Sequence, residues 1–137
     1  IKGLHILLAE DNELNMEIAE FMLQNEGADV TKAWNGQEAV ALFEKSRAGE
    51  FDVILMDIMM PVMNGYDATK TIRSLDRKDA KEVPIIAMTA NAFTEDRIRA
   101  KEAGMDEHIA KPVDAKLLVK VIHKLVDWRK ILSEGDS

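Results

Sequence analysis

Phe51-Asp52-Val53-Ile54-Leu55-Met56-Asp57 is an apolar run that ends in a carboxylate. Burying such a strand while leaving a charge at its tip is costly unless the charge has a task. Working outward, three other segments share the design. Leu4-His5-Ile6-Leu7-Leu8-Ala9 is followed by Glu10 and Asp11, Pro84-Ile85-Ile86-Ala87-Met88 by Thr89, and Glu107-His108-Ile109-Ala110 by Lys111. In parallel α/β sheets, ligands bind outside the C-terminal ends of the strands. Acids, a hydroxyl and an ammonium gathered along that edge predict a metal-assisted phosphoryl-transfer site with Asp57 as nucleophile.

The stretches between these runs carry apolar residues at helical spacing. Leu14, Ile18, Ala19 and Met22 recur before Gly27. Asn35 and Glu38 have capping-box spacing, and Ala39, Leu42 and Phe43 supply the buried face behind them. Ala68, Ile72 and Leu75 follow the loop Pro61-Val62-Met63-Asn64-Gly65. Thr94 can cap a fourth helix, with Glu95 and Asp96 in its first turn, and Leu117, Leu118, Val121, Ile122 and Leu125 stripe the last. Ala28 to Ala33 alternates with polar residues and reads as an edge strand, while Asp76 to Glu82 reads as a solvated connection. Five strand–helix alternations predict an α/β fold, a doubly wound (βα)5 parallel sheet. The domain is expected over residues 1–126, with 127–137 a C-terminal extension or linker.

A chain of 137 residues, 47% apolar, makes one domain with a real core. Its net charge of −7 argues against a grip on nucleic acid or on an anionic membrane. Lack of cysteine excludes disulfides and thiolate metal sites and fits a reducing compartment. No apolar run approaches the ~20 residues of a membrane helix. The expected location is cytoplasmic, including the cytoplasmic part of a membrane-bound sensor. The chain opens at Ile1 without an initiator methionine, which suits a piece of a longer protein and equally suits processing.

Singly, the polar tips have bland explanations. Asp11 could be only a helix cap, Lys111 a loop lysine and Thr89 a β-branched strand residue. Glu10 beside Asp11 weakens the capping reading, because two adjacent carboxylates repel and a cap needs one. Asp57 stands too far before Asn64-Gly65 to cap the helix that follows. Together, three carboxylates make an oxygen-rich pocket for a hard cation, and Mg²⁺ suits few protein ligands plus phosphate oxygens. Lys111 and Thr89 complement the phosphoryl oxygens. A small-molecule hydrolase working through an aspartyl phosphate would want an acid two residues after Asp57, where Met59 stands, and a phosphate-blind interaction module would have lost part of this set.

The segments Ala9-Glu10-Asp11-Asn12, Met56-Asp57-Ile58-Met59-Met60-Pro61-Val62-Met63-Asn64-Gly65, Ala87-Met88-Thr89-Ala90-Asn91-Ala92 and Ile109-Ala110-Lys111-Pro112 stand in order and at matching spacing. From about Leu4 to Val126 the chain resembles the receiver domain of two-component response regulators. That resemblance implies a flavodoxin-like fold with strand order 2-1-3-4-5. It also implies that Asp57 accepts phosphoryl from a histidine kinase phosphohistidine, assisting its own phosphorylation and dephosphorylation. Mg²⁺ would be held by Glu10, Asp11, Asp57 and the backbone carbonyl of Met59. Lys111 would pair with the phosphoryl group, and Thr89 would be the switch hydroxyl. The family usually places Tyr or Phe two residues before the lysine; here that position is His108, so its switch role is open. Asn15, Thr89-Ala90-Asn91-Ala92-Phe93 and Gly104-Met105-Asp106 are similar to receivers of hybrid sensor histidine kinases. The implied partners are then a histidine kinase or a histidine-phosphotransfer domain, with a stand-alone or DNA-binding response regulator as the alternative context.

Overall fold

The apolar runs form a five-stranded parallel sheet, and helices take up the amphipathic stretches between them. The computed structural model describes residues 1–90 and 94–135, with side chains described through Arg129. The strands are β1 (His5–Ala9), β2 (Asp29–Ala33), β3 (Val53–Asp57), β4 (Ile85–Thr89) and β5 (Glu107–Ala110), and the helices are α1 (Glu13–Asn25), α2 (Gly36–Lys45), α3 (Gly65–Arg73), α4 (Lys78–Glu82), α5 (Thr94–Ala103) and α6 (Ala115–Gly135). Strand order is β2-β1-β3-β4-β5, so β2 is an edge as its polar alternation predicts.

Two cores follow from the strand period of two. Leu7, Ala9, Ile54, Met56, Ile85 and Ala87 face α2, α3, α4 and α5, where Phe43, Ile72 and Ala80 are buried. Ile6, Leu8, Val53, Leu55, Ile86, Met88 and Ile109 face α1 and α6. Strands buried on both faces explain why their sequences read as apolar runs rather than as alternation.

Local signals hold where a side chain satisfies a helix end. The Asn35 side chain accepts from the Glu38 amide at 2.8 Å, and the Glu38 carboxylate accepts in turn from the Trp34 amide at 3.2 Å. Asn64 caps α3 through the Asp67 amide at 2.9 Å. α5 begins at Thr94, and the residues just before it, Asn91 and Phe93 among them, lie outside the described residues, and with them the test of the cap expected of Thr94.

Three expectations are corrected. The apolar stripe expected of α1 is out of phase: Met16, Ala19 and Leu23 point inward, whereas Leu14 and Ile18 are exposed together with Phe21. The helix is apolar on two faces, and spacing alone does not say which one packs. In α6 likewise Leu118, Ile122 and Val126 are buried while Leu117 and Trp128 are exposed. The connection expected between Asp76 and Glu82 contains the short helix α4. Arg77 fixes it in place. Its guanidinium donates to the Phe43, Glu44, Ser46 and Arg47 carbonyls and to both oxygens of Asp79 at 2.7 and 3.0 Å, while lying 4.8 Å from the Phe43 ring centroid. Arg73 makes a second tie, to the Ala80 and Gly104 carbonyls and to Asp106.

The fold positions Asp57 through a close backbone contact. A Cβ on Gly65 would collide with the Asp57 carbonyl oxygen, and the Gly65 amide donates to the Ile58 carbonyl at 2.9 Å. Gly65→Ala is therefore expected to lower stability by about 2 kcal/mol or more in urea titration. It should also weaken cation binding at the strand tips more than an equally destabilising substitution in α2.

Candidate functional site

Glu10, Asp57 and Lys111 converge because their strands end on one edge. β1 and β3 are neighbours, and the helices that follow them leave to opposite faces. Such a switch point opens a crevice between the strand tips. Glu10 sits just past β1, with its amide bonded to the Ala33 carbonyl at 3.0 Å. Asp57 is the last residue of β3, and Lys111 follows β5, its amide bonded to the Thr89 carbonyl at 2.8 Å. The Lys111-Pro112 peptide is cis.

Lys111 Nζ lies 2.9 Å from Glu10 Oε2 and 3.1 Å from Asp57 Oδ2. Glu10 is 2% exposed and Asp57 4%, so both carboxylates are buried groups that share one ammonium. Glu10 Oε1 accepts from the Asn12 amide at 3.1 Å. Burial raises the Asp57 carboxyl to about 7, helped by the neighbouring Glu10 charge and opposed by Lys111. Burial works to lower Lys111, but hydrogen bonds to Glu10 and Asp57 outweigh it, so its pKa is raised and the ammonium stays charged.

Asp11 stands exposed at the mouth, and carboxylate oxygens of Glu10, Asp11 and Asp57 come within 4.8 Å of one another. Asn12, not Asp11, caps α1, accepting from the Asn15 amide at 2.9 Å. The capping account of Asp11 thus falls away. Three convergent hard oxygens, two of them buried beside a single ammonium, suit a small divalent cation such as Mg²⁺. Met59, whose backbone carbonyl the family resemblance adds to this set, begins the exposed part of the loop after β3.

Thr89 ends β4 and is buried. Strand register pairs Thr89 with Ala110 and Ala87 with His108, so Thr89 and His108 share one face of the sheet. His108 is half-buried, its Nδ1 lying 3.5 Å from Glu107 Oε1. It lines an open cleft of about 490 Å³ beside α5, with Arg97, Lys101, Gly104 and Met105. A narrower pocket of about 120 Å³, absent from the sequence reading, lies between α1 and the segment after β5. Asn15, Ile18, Met22, Met88 and Val113 line it, and it shares Glu10 and Lys111 with the acid cluster.

Residues 6–123 match the model of the response regulator receiver domain. The chain belongs to that family. This receiver is 36% identical to Histidine kinase 1 of Arabidopsis thaliana over 91% of the chain and 13% of that protein. It is 38% identical to Hybrid signal transduction histidine kinase I of Dictyostelium discoideum, over 86% of the chain and 7% of the relative. It therefore spans a small fraction of these curated relatives. Among solved structures, the receiver domain of a sensor histidine kinase from Pseudomonas aeruginosa PAO1, with a magnesium ion coordinated in its active site cleft, is 40% identical with a TM-score of 0.82, covering 91% of this chain and 98% of that one. The chemotaxis protein CheY4 of Vibrio cholerae is 29% identical at the same TM-score of 0.82, over 90% of this chain and 98% of its own.

The raised Asp57 pKa has a signed consequence. The unfolded carboxyl ionises near 3.8, whereas the folded one keeps its proton to about 7. Without metal, stability should fall as pH rises from about 4 to 7 and level off above that range. Asp57→Asn escapes this loss and should be the more stable protein at about pH 8, by on the order of 2–4 kcal/mol. A cation bound to the wild type must displace that proton. Calorimetric Mg²⁺ affinity should rise about tenfold per pH unit up to neutrality and then flatten.

Proposed function

We propose that this receiver is the phosphoacceptor of a phosphorelay, with Asp57 taking a phosphoryl group from a phosphohistidine. The observation that carries the reading is the ammonium of Lys111 held between the buried carboxylates of Glu10 and Asp57, with Asp11 at the mouth. In the transfer, an Asp57 oxygen attacks phosphorus in line as the phosphorus–nitrogen bond of the donor breaks, leaving its electron pair on the imidazole. Lys111 exchanges its bond to Asp57 for one to a phosphoryl oxygen. The Thr89 hydroxyl donates to another, and His108, on the same face of the sheet, answers its movement. Mg²⁺ held by Glu10, Asp11, Asp57 and the Met59 carbonyl would neutralise charge on the phosphoryl oxygens. Because Asp57, with its carboxyl raised to about 7, keeps much of its proton at neutrality, a bound cation would also favour the anionic nucleophile.

The partner would dock on α1 and on the loops around Asp57. Leu14, Ile18 and Phe21 form an exposed apolar stripe on α1, with Glu13 and Glu17 beside it and no basic residue on the helix. An apolar helix face flanked by Lys or Arg complements that surface. The hybrid sensor kinases among the relatives support placing this receiver in such a protein, on its cytoplasmic side. A phosphotransfer histidine would then draw phosphoryl from Asp57 as well as deliver it. None of the described helices is long and apolar enough to cross a membrane.

Acetyl phosphate with Mg²⁺ should give a base-labile adduct on Asp57 alone, read by intact mass and peptide mapping. Equal labelling of Asp57→Asn at another residue would refute the assignment. Thr89→Ala should still accept phosphate yet show smaller NMR shifts along α5, β5 and α6. Phosphoryl loss from Asp57 should quicken when a histidine-phosphotransfer domain of the same organism is added, and an unchanged rate would remove the relay.

A further inference from the structure

Val62 has a φ of 67°, and it is the one non-glycine residue with positive φ among those described. For a β-branched side chain this is among the least favourable backbone placements. The Met63 amide donates to the Pro61 carbonyl at 2.7 Å, closing a three-residue γ-turn around Val62. Fixed points on either side impose the turn. The Gly36 amide holds the Met63 carbonyl at 3.0 Å, the Gly65 amide holds the Ile58 carbonyl at 2.9 Å, and a Cβ on Gly36 would collide with the Met63 carbonyl.

The strain gains the isolated domain nothing. Val62 is 77% exposed and belongs to neither core. Glycine would take the same backbone without steric cost, and Asn would tolerate it far better than Val. The turn instead holds an apolar group out to solvent on the loop that begins at Asp57. Met59, on the same loop, is equally exposed. A group that reaches the buried Asp57 carboxylate must bring its own backbone against the rim of the crevice, and this loop is part of that rim. Asp11, the exposed acid at the mouth, is costly to desolvate. A valine fixed in one geometry offers contact at little entropic cost.

We propose that Val62 is a specificity-determining residue for phosphoryl exchange, meeting an apolar side chain next to the reacting histidine on the partner's helix. This rests on the phosphoacceptor reading of Asp57. Two readouts separate the two ideas: labelling by acetyl phosphate with Mg²⁺, which needs no partner, and exchange with whichever histidine-phosphotransfer domain of the same organism serves the wild type fastest. Val62→Asn and Val62→Gly should melt no lower than wild type and label from acetyl phosphate at the wild-type rate. Their exchange with the phosphotransfer domain should be about tenfold slower, the scale of one lost interface contact. Val62→Ile, which keeps an apolar β-branched group, should exchange normally.

Wild-type exchange rates in the Asn and Gly variants overturn the proposal. So does a parallel slowing of both reactions, which would make Val62 a loop-shape residue, and so does a marked fall in melting temperature, which would contradict the strain. Failure of the wild type to label at Asp57 is a separate result that removes the phosphoacceptor reading itself. Labelling without exchange with any phosphotransfer domain removes the partner, and this proposal with it.

Discussion

One ammonium between two buried carboxylates is the constraint around which the strand tips are arranged. Glu10 and Asp57 would repel each other at this burial, and Lys111 makes their proximity tolerable. The lysine comes from β5 and reaches past β4 to the tips of β1 and β3. That reach depends on three chain segments ending at one level, which the parallel register of the sheet secures. The match between one positive group and three acids is incomplete by design of the crevice. Its surplus negative charge suits a small divalent cation.

The favourable terms lie elsewhere. Apolar side chains on both faces of the sheet form two cores, and Arg73 and Arg77 fasten α3, α4 and the C-terminal end of α2 on the side away from α1. The unfavourable terms gather at the strand tips: buried acids, a raised carboxyl and a valine with positive φ. Strain of this kind persists only where surrounding structure over-determines it. Gly36 and Gly65, by letting backbone approach backbone, do part of that determining.

The strands and their polar tips were legible because an apolar run that stops at Glu10, Asp57, Thr89 or Lys111 carries its own boundary. Caps such as Asn35 with Glu38 were legible for the same reason, since both partners lie within one turn. What escaped were relations across the chain. α4 is five residues, four of them charged, held by an arginine whose carbonyl acceptors lie about thirty residues away, and no local pattern announces it. The phase of α1 escaped because two of its faces are apolar, so Leu14 and Ile18 looked like core residues although they lie on the surface. Asp11 and Asn12 both suit an N-cap, and only geometry separates the cap from the acid left at the mouth. His108 is placed by strand register on the face of Thr89, which its sequence position two residues before Ala110 could suggest but not establish.

α6 starts four residues after Lys111 and runs unbroken from Ala115 to Gly135. A helix of 21 residues is a rod about 30 Å long. Val126 is the last buried residue of its inner stripe among those whose side chains are described. Mechanically, this is a lever with a short arm at the lysine and a long one away from it. A tilt of about 4° at the first turn carries the last turn about 2 Å sideways, a step large enough to break or make side-chain contacts.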